Sequence, residues 1–238
     1  MVTTPDSVEV RRTPTRAVAE GGRGPRQDAR IRQLLNAAAT LMRRSGSDRV
    51  SMQAIADEAG ISVGLIYRYY ENKEALVRAV IIGVLDQMAE EILRALDPVA
   101  DPVRQLAAAF TAYAQVVRDN RHGILLTYRE THLLDRESQK LIMSREVQTG
   151  QPLLQATRDA VGQGIFHGID SHVFSYDLLV TAQSWAFKHW YFAGRMDFND
   201  FVSGQFALAL SGVLRPGYRD RYADLLTTVH TADTTTRQ

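Results

Sequence analysis

Apolar residues recur along most of this chain at the three- and four-residue spacing of amphipathic helices. From Asp28 to Arg44 the spacing is kept by six apolar side chains: Ile31, Leu34, Leu35, Ala38, Leu41 and Met42. The polar run Ser45-Gly46-Ser47-Asp48 ends this first helix. A longer helix begins near Asn72 and ends before Asp97-Pro98, because proline cannot continue a helix.

The same period predicts five further helices in the second part of the chain. We expect them over residues 101–120, 122–133, 135–162, 171–192 and 197–214, the third bent near Gly150 and Pro152. No stretch shows the strict alternation of a strand or the turn signal of a hairpin. The pattern therefore predicts an all-α protein.

Residues 51–73, SMQAIADEAGISVGLIYRYYENK, predict two short helices that meet at a tight turn. Ser51 and Ser62 are good N-caps, and Gly60 can adopt the left-handed conformation that ends a helix. Two short helices joined by a glycine-containing turn form a helix-turn-helix, whose second helix enters the DNA major groove. This stretch therefore predicts a DNA-binding head.

The segments IADEAGIS and GLIYRYYENKEALV resemble the DNA-binding segment of the TetR/AcrR-like family of bacterial transcriptional regulators. The strong resemblance covers roughly residues 30–85, and beyond it only the helical architecture is similar. The resemblance implies an N-terminal three-helix helix-turn-helix domain and a larger C-terminal helical bundle for effector binding and dimerisation. It also implies a repressor that binds a palindromic operator as a homodimer and leaves double-stranded DNA when a small, largely hydrophobic effector binds.

The second short helix turns one side outward, and small residues at its start let the backbone approach the bases closely. By resemblance, eight positions match those that touch DNA in the family: Ser51, Gln53, Ser62, Val63, Gly64, Tyr67, Tyr69 and Lys73. Arg68 can add a phosphate contact. Each has a purely structural alternative. The two serines would be kept as caps without DNA, and Arg68 can be a solvated charge.

Composition narrows the class of protein. The 238 residues are 45% hydrophobic and 23% charged, and the net charge of +1 neither favours nor opposes DNA binding. The absence of cysteine excludes disulfides and Cys-ligated zinc, and it fits the cytoplasmic location that we expect. No run is long and apolar enough to span a bilayer, and no secretory signal opens the chain. We expect no membrane partner, cofactor or metal.

Four segments follow from these patterns. Residues 1–27 are rich in proline, glycine and arginine, and we expect a disordered arm that is either a solvated tail or a basic DNA contact. Residues 28–74 form the predicted head, and residues 75–216 the effector-binding and dimerisation domain. Residues 217–238 follow Pro216 and are expected to be a flexible tail.

The predicted bundle carries aromatic and polar side chains on otherwise apolar helices, the usual composition of a small-molecule pocket. The candidate effector-binding residues are Tyr113, Tyr128, Arg129, His132, Trp185 and His189. For each residue a core or surface position is the competing interpretation. The segments LLTYRETHLL and AQSWAFKHW loosely resemble a subgroup that includes regulators of acyl-CoA and lipid metabolism, which implies an acyl-CoA or another lipophilic effector.

The last two long helices are the candidates for pairing two copies of the chain. The predicted dimer interface consists of Phe198, Phe201, Val202, Gly204, Phe206 and Gly212. The competing interpretation places these residues in the core of one copy.

Two other classes of protein are weighed against a regulator. An all-α enzyme is one, but the chain contains no G-x-S-x-G, H-E-x-x-H, P-loop or Cys/His cluster. A helical scaffold without DNA binding is the other, and the intact Gly60, Tyr67 and Lys73 oppose it. We therefore expect a DNA-binding regulator that is not an enzyme.

Overall fold

The computed structural model describes residues 25–47, 49–96 and 99–227. Within these ranges the chain forms α-helices joined by short loops and turns, with one isolated antiparallel bridge between Phe166 and Leu214. The helices are α1 (Pro25–Ser45), α2 (Met52–Ala59), α3 (Val63–Tyr69), α4 (Lys73–Leu96), α5 (Pro102–Asp119), α6 (Arg121–Glu130), α7 (Arg136–Gly162), α8 (Ser171–Phe187), α9 (His189–Phe192), α10 (Phe198–Val213) and α11 (Ala223–Leu226). None of these helices is both long enough and apolar enough to cross a membrane.

Helices α1, α2 and α3 form a small head on the first turns of α4. Its core consists of aliphatic side chains that are almost fully buried: Leu34, Ala38, Met42, Val50, Met52, Ile55, Ala56, Ala59, Ile66 and Leu76. The Gln33 amide donates to the carbonyl oxygen of Ala59 at 3.0 Å and so ties α1 to the end of α2. The head is thus a packed unit that holds α3 at its edge.

Helix α4 continues from the head into the bundle and shares one hydrophobic core with both. Its 24 residues span ~36 Å at 1.5 Å per residue. In the bundle it packs against α5 and α7, and α5 also packs against α7 and α8. Helix α4 therefore belongs to both the head and the bundle.

Helix starts in the bundle are set by local capping. Asp101, Asp135, Asp170 and Asp197 each precede a helix and accept hydrogen bonds from its first backbone N–H groups. Helix α7 continues without a break through Pro152, near which the sequence pattern predicts a bend. These caps explain why the long helices begin where the sequence predicted.

Three boundaries differ from the sequence prediction. Helix α1 begins at Pro25, since proline suits a first helical turn, so residues 25–27 belong to the head; the rest of the predicted arm lies outside the described residues. The helix expected over residues 171–192 is broken at Lys188, which has φ −117° and ψ 29°. The break turns Phe192 back against Trp185 and Phe201.

The predicted flexible tail is the third difference. Residues 216–226 form two short 3-10 turns and α11, and Tyr222 is 0% exposed. The Tyr222 hydroxyl donates to Asp101 Oδ2 at 2.9 Å, and burial raises the pKa of Tyr222 to about 12. This anchor orders the segment after Pro216, whereas residues 228–238 lie outside the described ranges.

Candidate nucleic-acid interface and internal cavity

The turn between α2 and α3 is built from three local hydrogen-bonding devices. Ser51 Oγ accepts from the N–H of Ala54 at 3.1 Å, and Ser62 Oγ accepts from the N–H of Leu65 at 3.3 Å. Gly60 has φ 63° and ψ 34°, a left-handed conformation that a side chain would strain. The two short helices therefore end and restart within three residues, as the sequence predicted.

Helix α3 buries one side and exposes the other. Ile66 is fully buried in the head, whereas Gly64 and Arg68 are exposed and the Tyr67 side chain is 54% exposed. Val63 and Tyr69 are half-buried at the edges of the exposed side, and the Arg68 guanidinium lies 5.8 Å from the centre of the Tyr69 ring. A Cβ built on Gly64 meets no atom within 4 Å, so a flat ligand surface can approach the backbone here.

Two predicted DNA contacts are engaged within the chain itself. Gln53 is exposed, but its amide donates to Asp57 Oδ1 one turn along α2 at 2.7 Å. Lys73 Nζ donates to the carbonyl oxygens of Ser47 and Val50 at 2.9 and 3.4 Å. The ammonium therefore fixes the loop before α2, a role that the sequence prediction of a phosphate contact did not include.

A cavity of about 320 Å³ lies among α4, α5, α6, α7 and α8 and opens to the surface, where the lining residues Met143, Val147 and Tyr176 are exposed. Its walls are mostly apolar, and this volume is at the small end of the range for ligand pockets. The lining residues are Val84, Leu85, Met88, Tyr113, Ile124, Thr127, Tyr128, Met143, Glu146, Val147, Thr149, Gly150, Gln151, Leu154, His172, Ser175, Tyr176, Leu179, Val180 and Gln183.

A short hydrogen-bonded chain crosses one side of the cavity. The Tyr128 hydroxyl donates to Gln183 Oε1 at 2.5 Å, and the Gln183 amide donates to the Tyr113 hydroxyl at 2.5 Å. Burial raises the pKa of Tyr113 above its usual value, and burial likewise raises the pKa of Tyr128. Both phenols are therefore neutral near pH 7 and can donate or accept a hydrogen bond.

Glu146 is the only acidic residue in the lining. Desolvation by the surrounding cavity wall raises the pKa of its carboxyl group. Sequence reasoning missed it, because a glutamate on the polar side of α7 looks like an ordinary solvated charge. The aliphatic lining residues of α4 were likewise indistinguishable from core positions.

Of the six predicted cavity residues, Tyr113 and Tyr128 line the cavity. Arg129, near the end of α6, and His132, just after it, do not. The Arg129 guanidinium donates to Glu130 Oε1 and to the carbonyl oxygen of Met42, at 2.8 and 2.9 Å. His132 is exposed on the 3-10 turn after α6. In this structure neither side chain belongs to the cavity lining.

Trp185 and His189 also lie outside the cavity lining. Trp185 is buried in an aromatic cluster with Phe192, Phe198 and Phe201. His189 stacks edge-on against Trp185 at 5.5 Å, and burial, with the nearby Arg121 charge, lowers its pKa. The structure thus places both side chains in an aromatic cluster apart from the cavity.

The end of α6 is joined to the head by a group of buried polar contacts. Glu130 is 4% exposed and accepts a short hydrogen bond from the Ser47 hydroxyl in the loop after α1. The same carboxylate forms an ion pair with Arg129. The Arg129 guanidinium also donates to the carbonyl oxygen of Met42 in the last turn of α1. Tyr128, two residues before Glu130, lines the cavity. Cavity wall and head are thus connected through three consecutive residues of α6.

The packing of α10 places most residues of the predicted dimer interface inside a single copy. Four of its members are buried in the core of a single copy: Phe198, Phe201, Val202 and Phe206. Gly212 is exposed and Gly204 half-buried, on either side of Leu208, which is 71% exposed. The outward side of α10 is therefore made of small residues and one leucine, not of the phenylalanines.

A helix-turn-helix head with one exposed helical side, joined to a bundle that encloses a cavity, defines a two-domain DNA-binding regulator. The family model described as "Bacterial regulatory proteins, tetR family" matches residues 34–80, and the model "Tetracyclin repressor-like, C-terminal domain" matches residues 99–213. This chain belongs to the TetR family and is a DNA-binding transcriptional regulator.

Relatives and solved structures agree with this assignment. The HTH-type transcriptional regulator HbdR of Aromatoleum sp. (strain CIB) is 30% identical over 175 residues, covering 74% of this chain and 76% of HbdR. The HTH-type transcriptional repressor KstR2 of Mycolicibacterium smegmatis is 25% identical over 202 residues, covering 84% of this chain and 98% of KstR2. A crystal structure of AibR in complex with isovaleryl coenzyme A and operator DNA has a TM-score of 0.65 and 25% identity, covering 74% of this chain and 95% of AibR.

Proposed function

We propose that two copies of this chain bind a palindromic operator and repress transcription until a small lipophilic effector enters the bundle cavity. The observation that carries the proposal is the exposed side of α3, where Gly64 and the half-exposed Tyr67 stand on a fully packed head. A tyrosine hydroxyl at this position can reach the phosphates or base edges of a DNA groove.

In this proposal the N-terminal part of α3 enters the major groove and the caps of both short helices lie near phosphate. Val63 and Gly64 approach the base edges, and the tyrosine hydroxyls and Arg68 reach phosphates or bases. The complete set of proposed DNA contacts is Ser51, Gln53, Ser62, Val63, Gly64, Tyr67, Arg68, Tyr69 and Lys73. To contact DNA, Gln53 must break its hydrogen bond to Asp57, and Lys73 must break its hydrogen bond to the Ser47 carbonyl oxygen.

The proposed homodimer uses the outward sides of α8 and α10. On α10 the small residues Gly204 and Gly212 flank Leu208, so another helix can approach closely. On α8, Val173 is exposed outside the cavity lining. A two-fold pairing of these helices would present two heads to half-sites about one DNA turn, ~34 Å, apart.

Effector binding would act through the shared wall of the cavity. Helices α4 and α6 line the cavity and also support the head, so an occupant that shifts them changes the position of α3. A hundredfold change in operator affinity requires only about 2.7 kcal/mol of coupling between the two sites. The effector need only prefer the conformation that does not bind DNA by that amount.

We assign the effector to the lipophilic class, with the acyl part of a coenzyme A thioester as the leading candidate. The apolar walls support this class, and so does the crystal structure of AibR, a protein of similar fold, in complex with isovaleryl coenzyme A and operator DNA. The cavity itself is too small for the whole of such a molecule, so the nucleotide part would lie outside.

Fluorescence anisotropy with DNA from upstream of the protein's own gene tests the DNA-binding proposal. We expect Tyr67→Ala to weaken binding to every DNA sequence by about tenfold or more, because it removes a contact to the DNA phosphate backbone. Tyr191→Ala is the matched control, since Tyr191 is an exposed tyrosine on α9, far along the chain from the head. Full-strength binding by Tyr67→Ala would contradict the placement of α3.

A further inference from the structure

The hydrogen-bonded chain along the cavity runs from the surface of the bundle to its interior. The Tyr128 side chain is 52% exposed, Gln183 is half-buried, and Tyr113 is only 4% exposed. All three residues belong to the cavity lining. The inner end of the chain is therefore a phenol that bulk solvent barely reaches.

The protons of this chain outnumber the acceptors within it. Tyr128 donates to Gln183 Oε1, and Gln183 Nε2 donates to the Tyr113 hydroxyl oxygen. Tyr113 thus acts as an acceptor, and its own proton has no acceptor among the described residues. Turning the Gln183 amide over would pass this remaining proton to Tyr128, which lines the same cavity. In either orientation the chain presents one phenol proton to the cavity.

The other buried hydroxyls of the lining are satisfied locally. Thr127, Thr149 and Ser175 each donate to a carbonyl oxygen one turn earlier in their own helices. Tyr113 is the exception among the buried lining hydroxyls of the described chain. Because burial also raises its pKa, Tyr113 keeps its proton at neutral pH. An acceptor for this proton must come from the molecule that fills the cavity.

An occupant without an acceptor would leave a buried donor unsatisfied, which disfavours its binding. We infer that the effector carries a carbonyl oxygen that accepts a hydrogen bond from Tyr113 at the inner end of the cavity. This inference rests on the proposed effector role of the cavity and narrows the ligand class from lipophilic to carbonyl-containing. In a coenzyme A thioester, the thioester carbonyl or another carbonyl of the acyl part supplies this oxygen.

Two volatile probes of the same shape test the inference on the full chain without DNA. Octan-2-one has a carbonyl oxygen where 2-methyloct-1-ene has a methylene group, and headspace gas chromatography measures the binding of both from the depletion of their vapour. In Tyr113→Phe the ratio of ketone affinity to alkene affinity should fall about tenfold, because the ketone loses its hydrogen bond and the alkene no longer covers an unsatisfied donor. Gln183→Leu should lower this ratio much less, because Tyr113 keeps its proton.

Tyr191→Phe is the matched control, since Tyr191 lies on α9 outside the cavity lining. It should keep the wild-type ratio. Infrared spectra of the bound ketone give an independent readout, since a hydrogen bond lowers the carbonyl stretching frequency. We expect a lower frequency in the wild type than in Tyr113→Phe.

An unchanged affinity ratio in Tyr113→Phe would overturn the inference, as would an equal loss in Gln183→Leu or failure of both probes to bind. The same carbonyl frequency in the wild type and in Tyr113→Phe would also contradict it. Operator binding measured without ligand is independent of these outcomes, so failure of the DNA-binding proposal would be seen separately.

Discussion

The contact between α6 and the head yields the sharpest prediction about stability. Glu130→Gln keeps the size of the side chain but removes its negative charge. Two partners then lose a charged acceptor: the Ser47 hydroxyl and the Arg129 guanidinium, whose Nε lies 2.8 Å from Glu130 Oε1. Because Glu130 is 4% exposed, water cannot replace these partners.

A hydrogen bond to a charged group contributes about 1.5–3 kcal/mol. The Arg129 side chain is 46% exposed, so its ion pair is screened and adds little to that value. We therefore expect Glu130→Gln to lower the free energy of unfolding by about 2 kcal/mol. At about 2–4 °C per kcal/mol for a chain of this size, the melting temperature falls by about 4–8 °C.

Thermal unfolding followed by circular dichroism measures this change. Ser47→Ala should lower the melting temperature by less, because Glu130 keeps its ion pair with Arg129. Glu58→Gln, an exposed carboxylate on α2, serves as the control and should melt with the wild type. If Glu130→Gln also melts within about 0.5 kcal/mol of the wild type, as an ordinary surface substitution does, the proposed link between cavity and head has no energetic basis.

Three further predictions concern the head, the α4–α6 contact and the C-terminal anchor. Gln53→Ala should relax base preference at particular operator positions while leaving total affinity nearly unchanged, as a binding-site selection would show. Gly123→Ala should cost about 1–3 kcal/mol in urea unfolding, because its Cβ would lie 2.6 Å from Val84 Cγ2, and Val84→Ala should largely restore the double variant. Burial alone would raise the pKa of Asp101, but hydrogen bonds from the Arg104 N–H and the Tyr222 hydroxyl hold it below its usual value. Its stabilisation is therefore present above pH ~4 and lost as the pH falls further, so Asp101→Asn should destabilise the chain at pH 7 and much less at pH 3. An equal loss at both pH values would refute that role.

The head could be predicted from sequence because its signals are local. Ser51, Ser62 and Gly60 act within three or four residues of themselves, so the pattern alone places both short helices. The starts of the long helices follow from aspartate caps in the same way. These hydrogen bonds join residues close in sequence, so they can be predicted without knowing how distant parts of the chain pack.

The bundle could be predicted only in outline, because its errors depend on contacts between distant residues. The phenylalanines of α10 have the same spacing whether they pack inside one copy or between two, and only the fold assigns them to the core. Tyr222 orders the C-terminal segment through Asp101, which lies 121 residues earlier. Trp185 is a residue type common in ligand pockets, yet in the fold it packs against Phe198 and Phe201 in an aromatic cluster.

A hydroxyl-radical footprint of the full chain on the region upstream of its own gene tests the central claim most directly. Two heads that each insert α3 into a major groove should protect two symmetric segments whose centres lie about 10 base pairs, or a multiple of that spacing, apart. Tyr67→Ala should lose both protected segments at the same protein concentration. A single protected segment, or an unchanged footprint with Tyr67→Ala, would contradict the account.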